Sequence, residues 1–176
     1  NAIELNAVQR ANPEMQKRVA NVIRALSESD TNPIVSIHDH GAGGHLNALS
    51  ELVEETGGYI DIDRLPVGNP TLSDKEIIGN ESQERMGMVV RGKDVERIRR
   101  IAERERAPMY EVGYTTADHR FVFGHGGMDG SDRQESGPID LAMADMFGSS
   151  PQTVMTDNTV VRHHASVRYD VACMDK

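Results

Sequence analysis

An α/β (α+β) sandwich, a mixed β-sheet covered by helices, is the fold this sequence predicts, and three observations predict it. Apolar residues recur at helical spacing in two long segments. Short β-branched or alternating runs lie between and after them. Glycine clusters mark the points where one kind of run gives way to the other.

Residues 13–28, PEMQKRVANVIRALSE, predict the first helix. Pro13 suits a first turn, and Met15, Val19, Val22, Ile23 and Leu26 form one apolar stripe. Asn32-Pro33 breaks it. The β-branched run PIVSIHD, 33–39, then predicts a strand buried on both faces. A glycine turn follows, and Ala42, Leu46, Leu49, Leu52 and Val53 predict a second helix that Gly57-Gly58 ends. YIDIDRL, 59–65, alternates apolar and polar residues and predicts a half-exposed strand.

VGNPTLSDKEIIGN, 67–80, reads as a loop around a short helix with Ser73 as its cap. RMGMVVR, 85–91, predicts another strand. KDVERIRRIAERERA, 93–107, predicts a charged helix with Val95, Ile98, Ile101 and Ala102 inward. MYEVGYTT and RFVFGH predict two strands joined by the short Ala-Asp-His turn. From Gly124 to Gly137 the chain is rich in Gly, Asp and Ser and reads as loop. PIDLAMADMFG, 138–148, predicts a short ordered element. Residues 151–176 are polar and weakly patterned and read as a tail or inter-domain arm, leaving residues 3–150 as the domain. Asn1-Ala2 read as a cloning scar, which would make the chain an excised piece of a longer one.

The chain has 176 residues, 38% of them apolar and 27% charged, enough for one core. Aromatics are only 4%, so Leu, Ile, Val, Met and Ala must build it. The net charge of −9 argues against non-specific nucleic-acid binding, which needs clustered Lys and Arg. No apolar run approaches membrane-span length, and no signal peptide is visible. The lone Cys173 can form neither an internal disulfide nor a Cys-based zinc cage, and a reducing, cytoplasmic setting is expected.

Four stretches carry candidate chemistry. The first is HDHGAGGH, 38–45. A strand that ends in Asp39 and turns through Gly41, Gly43 and Gly44 into a helix suits a metal-phosphate site. Glycines let the backbone approach a ligand, helix-start N–H groups favour negative charge, and Asp39 would hold a Mg²⁺ that bridges phosphate oxygens. The same pattern also reads as a tight β-α turn with a capping Asp. It lacks the GxGxxG spacing and the Gly-Lys-Ser/Thr of the two common phosphate loops. His38, Asp39, His40 and His45 offer a rival reading as transition-metal ligands of a hydrolase, with His119, His125, His163 and His164 as further ligands.

The second is GNESQERM, 79–86, where Glu81, Ser82 and Gln83 supply donors and acceptors able to read a sugar or an amide. It also reads as a polar turn. The third is AVQRANPEM, 7–15, where Gln9 and Arg10 precede a helix start. The fourth is ERIRRIAERERA, whose arginines interleave with glutamates at i,i+3 and i,i+4 and read as a solvated, ion-paired face. The methionines read as core filling rather than a soft-metal site. No nucleophile-base pair stands out.

Taken together, VQRANPEM, IHDHGAGGHLNALSEL and NESQERM, with ERERAPMYEVG at 103–113, resemble the phosphoribosylformylglycinamidine synthase family, also called formylglycinamide ribonucleotide amidotransferase. The resemblance runs from about Ile3 to about Thr156. Since that enzyme is much longer, it implies a single domain, like the C-terminal domain of aminoimidazole ribonucleotide synthetase-like proteins. The family reaction belongs to purine biosynthesis. ATP activates the formamide oxygen of formylglycinamide ribonucleotide as an iminophosphate, and ammonia from a glutaminase domain displaces the phosphate. By motif match, Asp39 would be a Mg²⁺ ligand, and Gln9, Glu81, Ser82 and Gln83 would contact substrate. Gly41, Gly43 and Gly44 join them on the physical grounds above. ATP would be held mainly by other domains of the parent chain, so this domain is expected to be inactive alone. Besides this reading and the hydrolase, the sequence allows a pairing domain whose glycine turn binds nothing.

Overall fold

The computed structural model describes residues 12–81, 84–128, 137–149, 151–158 and 160–168. Helix α1 is Pro13–Ser27, capped by the Asn12 side chain, whose Oδ1 accepts from the Met15 N–H at 3.0 Å. Then come β1 (Ile34–Asp39), α2 (Gly44–Leu52), β2 (Gly58–Asp61), a 3₁₀ turn (Ile62–Arg64), α3 (Asp74–Ile78) and β3 (Met86–Val90). A second 3₁₀ turn (Gly92–Asp94) leads into α4 (Val95–Arg104). Strands β4 (Gly113–Thr115), β5 (Arg120–Gly124) and β6 (Ile139–Ala142) precede the short α5 (Met143–Phe147). The Ser73 cap is present: the Glu76 carboxylate accepts from the Ser73 N–H at 2.9 Å and from its hydroxyl at 2.7 Å.

The strands form two sheets rather than one. β1 and β3 pair antiparallel as a two-stranded ribbon. The other four run in the order β4-β2-β5-β6, with β2 parallel to β5 and the outer pairs antiparallel. Two apolar clusters follow from this. Val22 and Leu26 of α1 meet Ile98 and Ala102 of α4, with Ile34, Met88 and Val90 of the ribbon packed against them. Leu49, Val53, Ile60, Phe121, Phe123 and Met143 gather where α2 and α5 cover the four-stranded sheet. The stripe expected on α1 and the inner face expected on α4 are therefore the faces that bury.

Three expectations are corrected. β1 is not buried on both faces: Val35 is 57% and Ile37 38% exposed, because β1 has only β3 as a neighbour and rests on α2. β2 is not half-exposed: Gly58 to Asp61 are all buried, because β2 lies inside its sheet between β4 and β5. And β4 and β5, although joined by a short turn, do not pair with each other; they flank β2. Gly113 shows why β4 fits there. A Cβ on it would lie 2.1 Å from the Tyr59 carbonyl oxygen.

The α4 arginines are ion-paired as their spacing suggests. Arg99 meets Glu96 and Glu111, and Arg104 meets Glu105. Residues 151–158 and 160–168 form no helix or strand and are exposed. Among the described residues no helix is long and apolar enough to cross a membrane.

Candidate functional site

The ribbon carries the first and second candidate stretches to one place. β1 ends at Asp39, which pairs in register with Met86 of β3. One step further, the His40 N–H donates to the Arg85 carbonyl at 3.1 Å, so the ladder runs past the strand ends. The glycine turn then reverses the chain into α2, with the Gly44 N–H donating to the Gly41 carbonyl at 3.1 Å. Gly43 and Gly44 take φ of +81° and +63°, conformations that side chains disfavour. Gly44 also lies flat on the second stretch: a Cβ there would stand 2.6 Å from the Asn80 carbonyl oxygen.

Glu81 closes the contact from the other side. Its Oε1 accepts from the Gly43 N–H at 3.1 Å. The anion expected at this helix start is thus, in part, the protein's own carboxylate. Asp39, with its side chain 77% exposed, stands at the same turn. Both side chains are hard oxygen donors, the kind that Mg²⁺ prefers. They do not resemble the nitrogen-rich set that zinc prefers. Gln9, Ser82 and Gln83, the remaining residues of the expected substrate set, lie outside the described residues, as does Cys173.

The histidines do not assemble into a hydrolase centre. His38 Nδ1 lies 2.6 Å from the Asp39 carbonyl and Nε2 2.5 Å from Glu51 Oε2, so both ring nitrogens face acceptors. The Asp39 carbonyl, with Glu51, holds its pKa above the ordinary value. His40 turns inward instead, with Nε2 3.1 Å from His45 Nδ1. Burial pushes His40 down to about 4 and His45 to about 3, with Arg85 adding to both. His163 and His164 lie in the exposed stretch beyond residue 160. Among the described residues no three His, Cys, Asp or Glu side chains converge as metal ligands.

His125 belongs to a second cluster, which the sequence did not reveal. At the end of the parallel β2–β5 pair its Nδ1 lies 2.9 Å from Asp63 Oδ1 and its Nε2 3.0 Å from Asp74 Oδ2. Buried Asp61 accepts from the Gly126 N–H at 3.1 Å. The imidazolium therefore ties the 3₁₀ turn after β2 to the start of α3, which leads into the Glu81 loop. Asp63, then Asp74, hold the His125 pKa above its ordinary value. A raised folded pKa means stability that is complete below the unfolded value of about 6.5 and is lost as pH rises through the folded one. The melting-temperature difference between the chain and its His125→Asn variant should accordingly be largest near pH 6 and shrink toward pH 9. A difference that stays constant across that range would remove the tie.

Comparison with known proteins agrees with these motifs. The family model described as AIR synthase related protein, C-terminal domain, matches residues 1–126. The phosphoribosylformylglycinamidine synthases of Schizosaccharomyces pombe and Saccharomyces cerevisiae are each 40% identical over 153 residues, covering 85% of this chain and 11% of theirs. That of Dictyostelium discoideum is 40% identical over 120 residues, 66% of this chain and 9% of its own length. The chain thus spans about a tenth of the length of these relatives. Among solved structures, Thermotoga maritima PurL complexed with FGAR superposes with a TM-score of 0.67 at 23% identity, over 92% of this chain and 25% of that one. PurL complexed with ATP gives 0.67 at 23% identity, over 88% and 25%. At that identity the likeness is one of fold.

Proposed function

The chain belongs to the AIR synthase related protein C-terminal domain family, and from that premise we propose that it is one domain of a phosphoribosylformylglycinamidine synthase. That ligase of purine biosynthesis uses ATP and glutamine to convert formylglycinamide ribonucleotide to formylglycinamidine ribonucleotide. The observation that carries this reading is the meeting of the Asp39 turn with the Glu81 loop, held by the Gly43-to-Glu81 hydrogen bond of 3.1 Å. Two of the stretches shared with the family are brought into contact although about 40 residues separate them in the chain.

In this reading Asp39 is the Mg²⁺ ligand of the domain, and Glu81 fixes the glycine turn beside it. Bound Mg²⁺ would neutralise phosphate charge where the nucleotide meets the formamide. Gly43 and Gly44 make the tight turn, and Gly41, where a Cβ would meet nothing within 4 Å, leaves backbone open against which a phosphate could lie. Ser82 and Gln83, with Gln9 ahead of α1, would hydrogen-bond the ribonucleotide and aim its formamide at the metal end. The residues that hold ATP, and the glutaminase that supplies ammonia, would lie in other domains of a cytoplasmic parent enzyme. The chain alone would then bind and orient but not turn over.

Gln83 offers the direct test. In the full-length enzyme Gln83→Ala should raise KM for formylglycinamide ribonucleotide about tenfold, the value of one good hydrogen bond to a polar ligand, with KM for ATP little changed. An unchanged KM for the ribonucleotide would mean that the Glu81 loop is not its binding loop.

A further inference from the structure

Among the described residues the Arg85 guanidinium forms no ion pair. Its side chain lines a cavity of about 820 Å³ between the ribbon and the four-stranded sheet, together with His40, His45, Met86 and Tyr110. Among the described residues its one hydrogen-bond partner is an imidazole: Arg85 Nη1 lies 3.2 Å from His45 Nε2. Burial holds its pKa below the ordinary guanidinium value, with Tyr110 opposing the shift. A half-buried guanidinium left unpaired is costly, and proteins retain one where an anion completes it.

The histidines behind it point the same way. Arginine only donates, so His45 Nε2 must accept, and the neutral His45 carries its proton on Nδ1. That N–H donates to His40 Nε2 at 3.1 Å, which leaves the His40 proton on Nδ1. His40 is 7% exposed, and its Nδ1 is buried without a partner among the described residues. The rings meet edge to face with centroids 5.0 Å apart, so each fixes the other's tilt. The relay runs donor to acceptor from Arg85 inward, and at its outer end the guanidinium has further N–H groups on a residue that lines the cavity. Such a polarity calls for an acceptor from outside, and an oxyanion satisfies it best.

We propose that Arg85, oriented by His45 and His40, anchors the phosphate monoester of the ribonucleotide bound at the Asp39–Glu81 turn. The inference rests on the reading above and adds a residue to it. Arg85 stands four residues beyond Glu81, a reach of at most about 14 Å along the chain. That matches a ribonucleotide whose reacting amide is at the metal end and whose phosphate is at the other.

The test compares two substrates on the full-length enzyme: the ribonucleotide, and the corresponding nucleoside that lacks the phosphate. In the parent, kcat/KM should favour the ribonucleotide strongly. In Arg85→Met, which keeps the apolar stem, that preference should fall roughly 100-fold; in Arg85→Lys, which keeps the charge but not the fork, roughly tenfold. Thermal melts establish that both variants are folded, and Arg85→Lys keeps the comparison open if Arg85→Met is not. Equal losses on both substrates would overturn the inference and make Arg85 a structural cation or the partner of a carboxylate in another domain. An unchanged preference would overturn it too. A parent enzyme that makes no amidine from the ribonucleotide would instead overturn the function on which the inference rests.

Discussion

Asp39→Asn in the full-length enzyme is expected to lower the rate of amidine formation by roughly 100-fold or more while leaving the protein folded. The two halves of that expectation come from different observations. The fold should survive because the Asp39 side chain is 77% exposed and, among the described residues, its one ion pair is the long contact with His38, at 4.0 Å. An exposed pair of that kind is worth no more than about 1 kcal/mol. The rate should fall because asparagine keeps the shape and loses the charge, and a Mg²⁺ beside a phosphate needs that charge. Losing about 3 kcal/mol of charge stabilisation in the transition state gives the factor of 100. Raised Mg²⁺ should restore part of the rate, since the defect is one of occupancy. The measurement is initial rate against Mg²⁺ concentration, paired with a thermal melt. A folded variant with an unaltered rate would reduce the Asp39 stretch to a β-α turn.

The parts of the fold that depend on local pattern were legible in the sequence. The α1 stripe from Met15 to Leu26, the cap at Ser73 and the inner face of α4 each rest on residues within a few positions of one another. What was not legible depends on neighbours distant in sequence. The alternation of Tyr-Ile-Asp-Ile suggested a strand with one wet face, yet Asp61 is buried because the Gly126 N–H and Arg64 meet its carboxylate. The β-branched run in β1 suggested double burial, yet nothing in the run records that its sheet has only two strands.

The site divides in the same way. Asp39 and the three glycines stand out because a strand, a turn and a helix follow one another without interruption. Glu81 stands out as part of a motif, but its bond to Gly43 does not, since only the β1–β3 ladder brings the two stretches together. Arg85 lay inside the same motif, but nothing in its spacing set it apart from the polar residues around it. What gives it weight is that its guanidinium meets an imidazole and, among the described residues, forms no ion pair, and a sequence cannot show that. The His125 tie was hidden for a similar reason: Asp63, Asp74 and His125 come from three separate elements.

Gly44→Ala should be the most damaging single change at the turn, and it separates the two roles a glycine can have. Gly44 has φ of +63°, and a Cβ there would lie 2.6 Å from both the Asn80 oxygen and the Gly79 carbonyl carbon. The left-handed conformation costs an alanine about 1 kcal/mol. The overlap is with backbone, which cannot rotate away, so the Glu81 loop itself must move off the turn. Together the two effects should remove about 3 kcal/mol or more, a fall in melting temperature of roughly 6–12 °C for a chain of this size. Gly41 is the control within the same motif, because a Cβ there meets nothing within 4 Å and its φ is not positive. Gly41→Ala should melt within about 2 °C of the parent chain. In the full-length enzyme Gly44→Ala should also raise KM for the ribonucleotide, because the displaced loop carries Ser82 and Gln83. Equal melting temperatures for the two variants would mean that the glycine turn and the Glu81 loop are not pressed together. The metal end and the substrate end of the proposed site would then have no common frame.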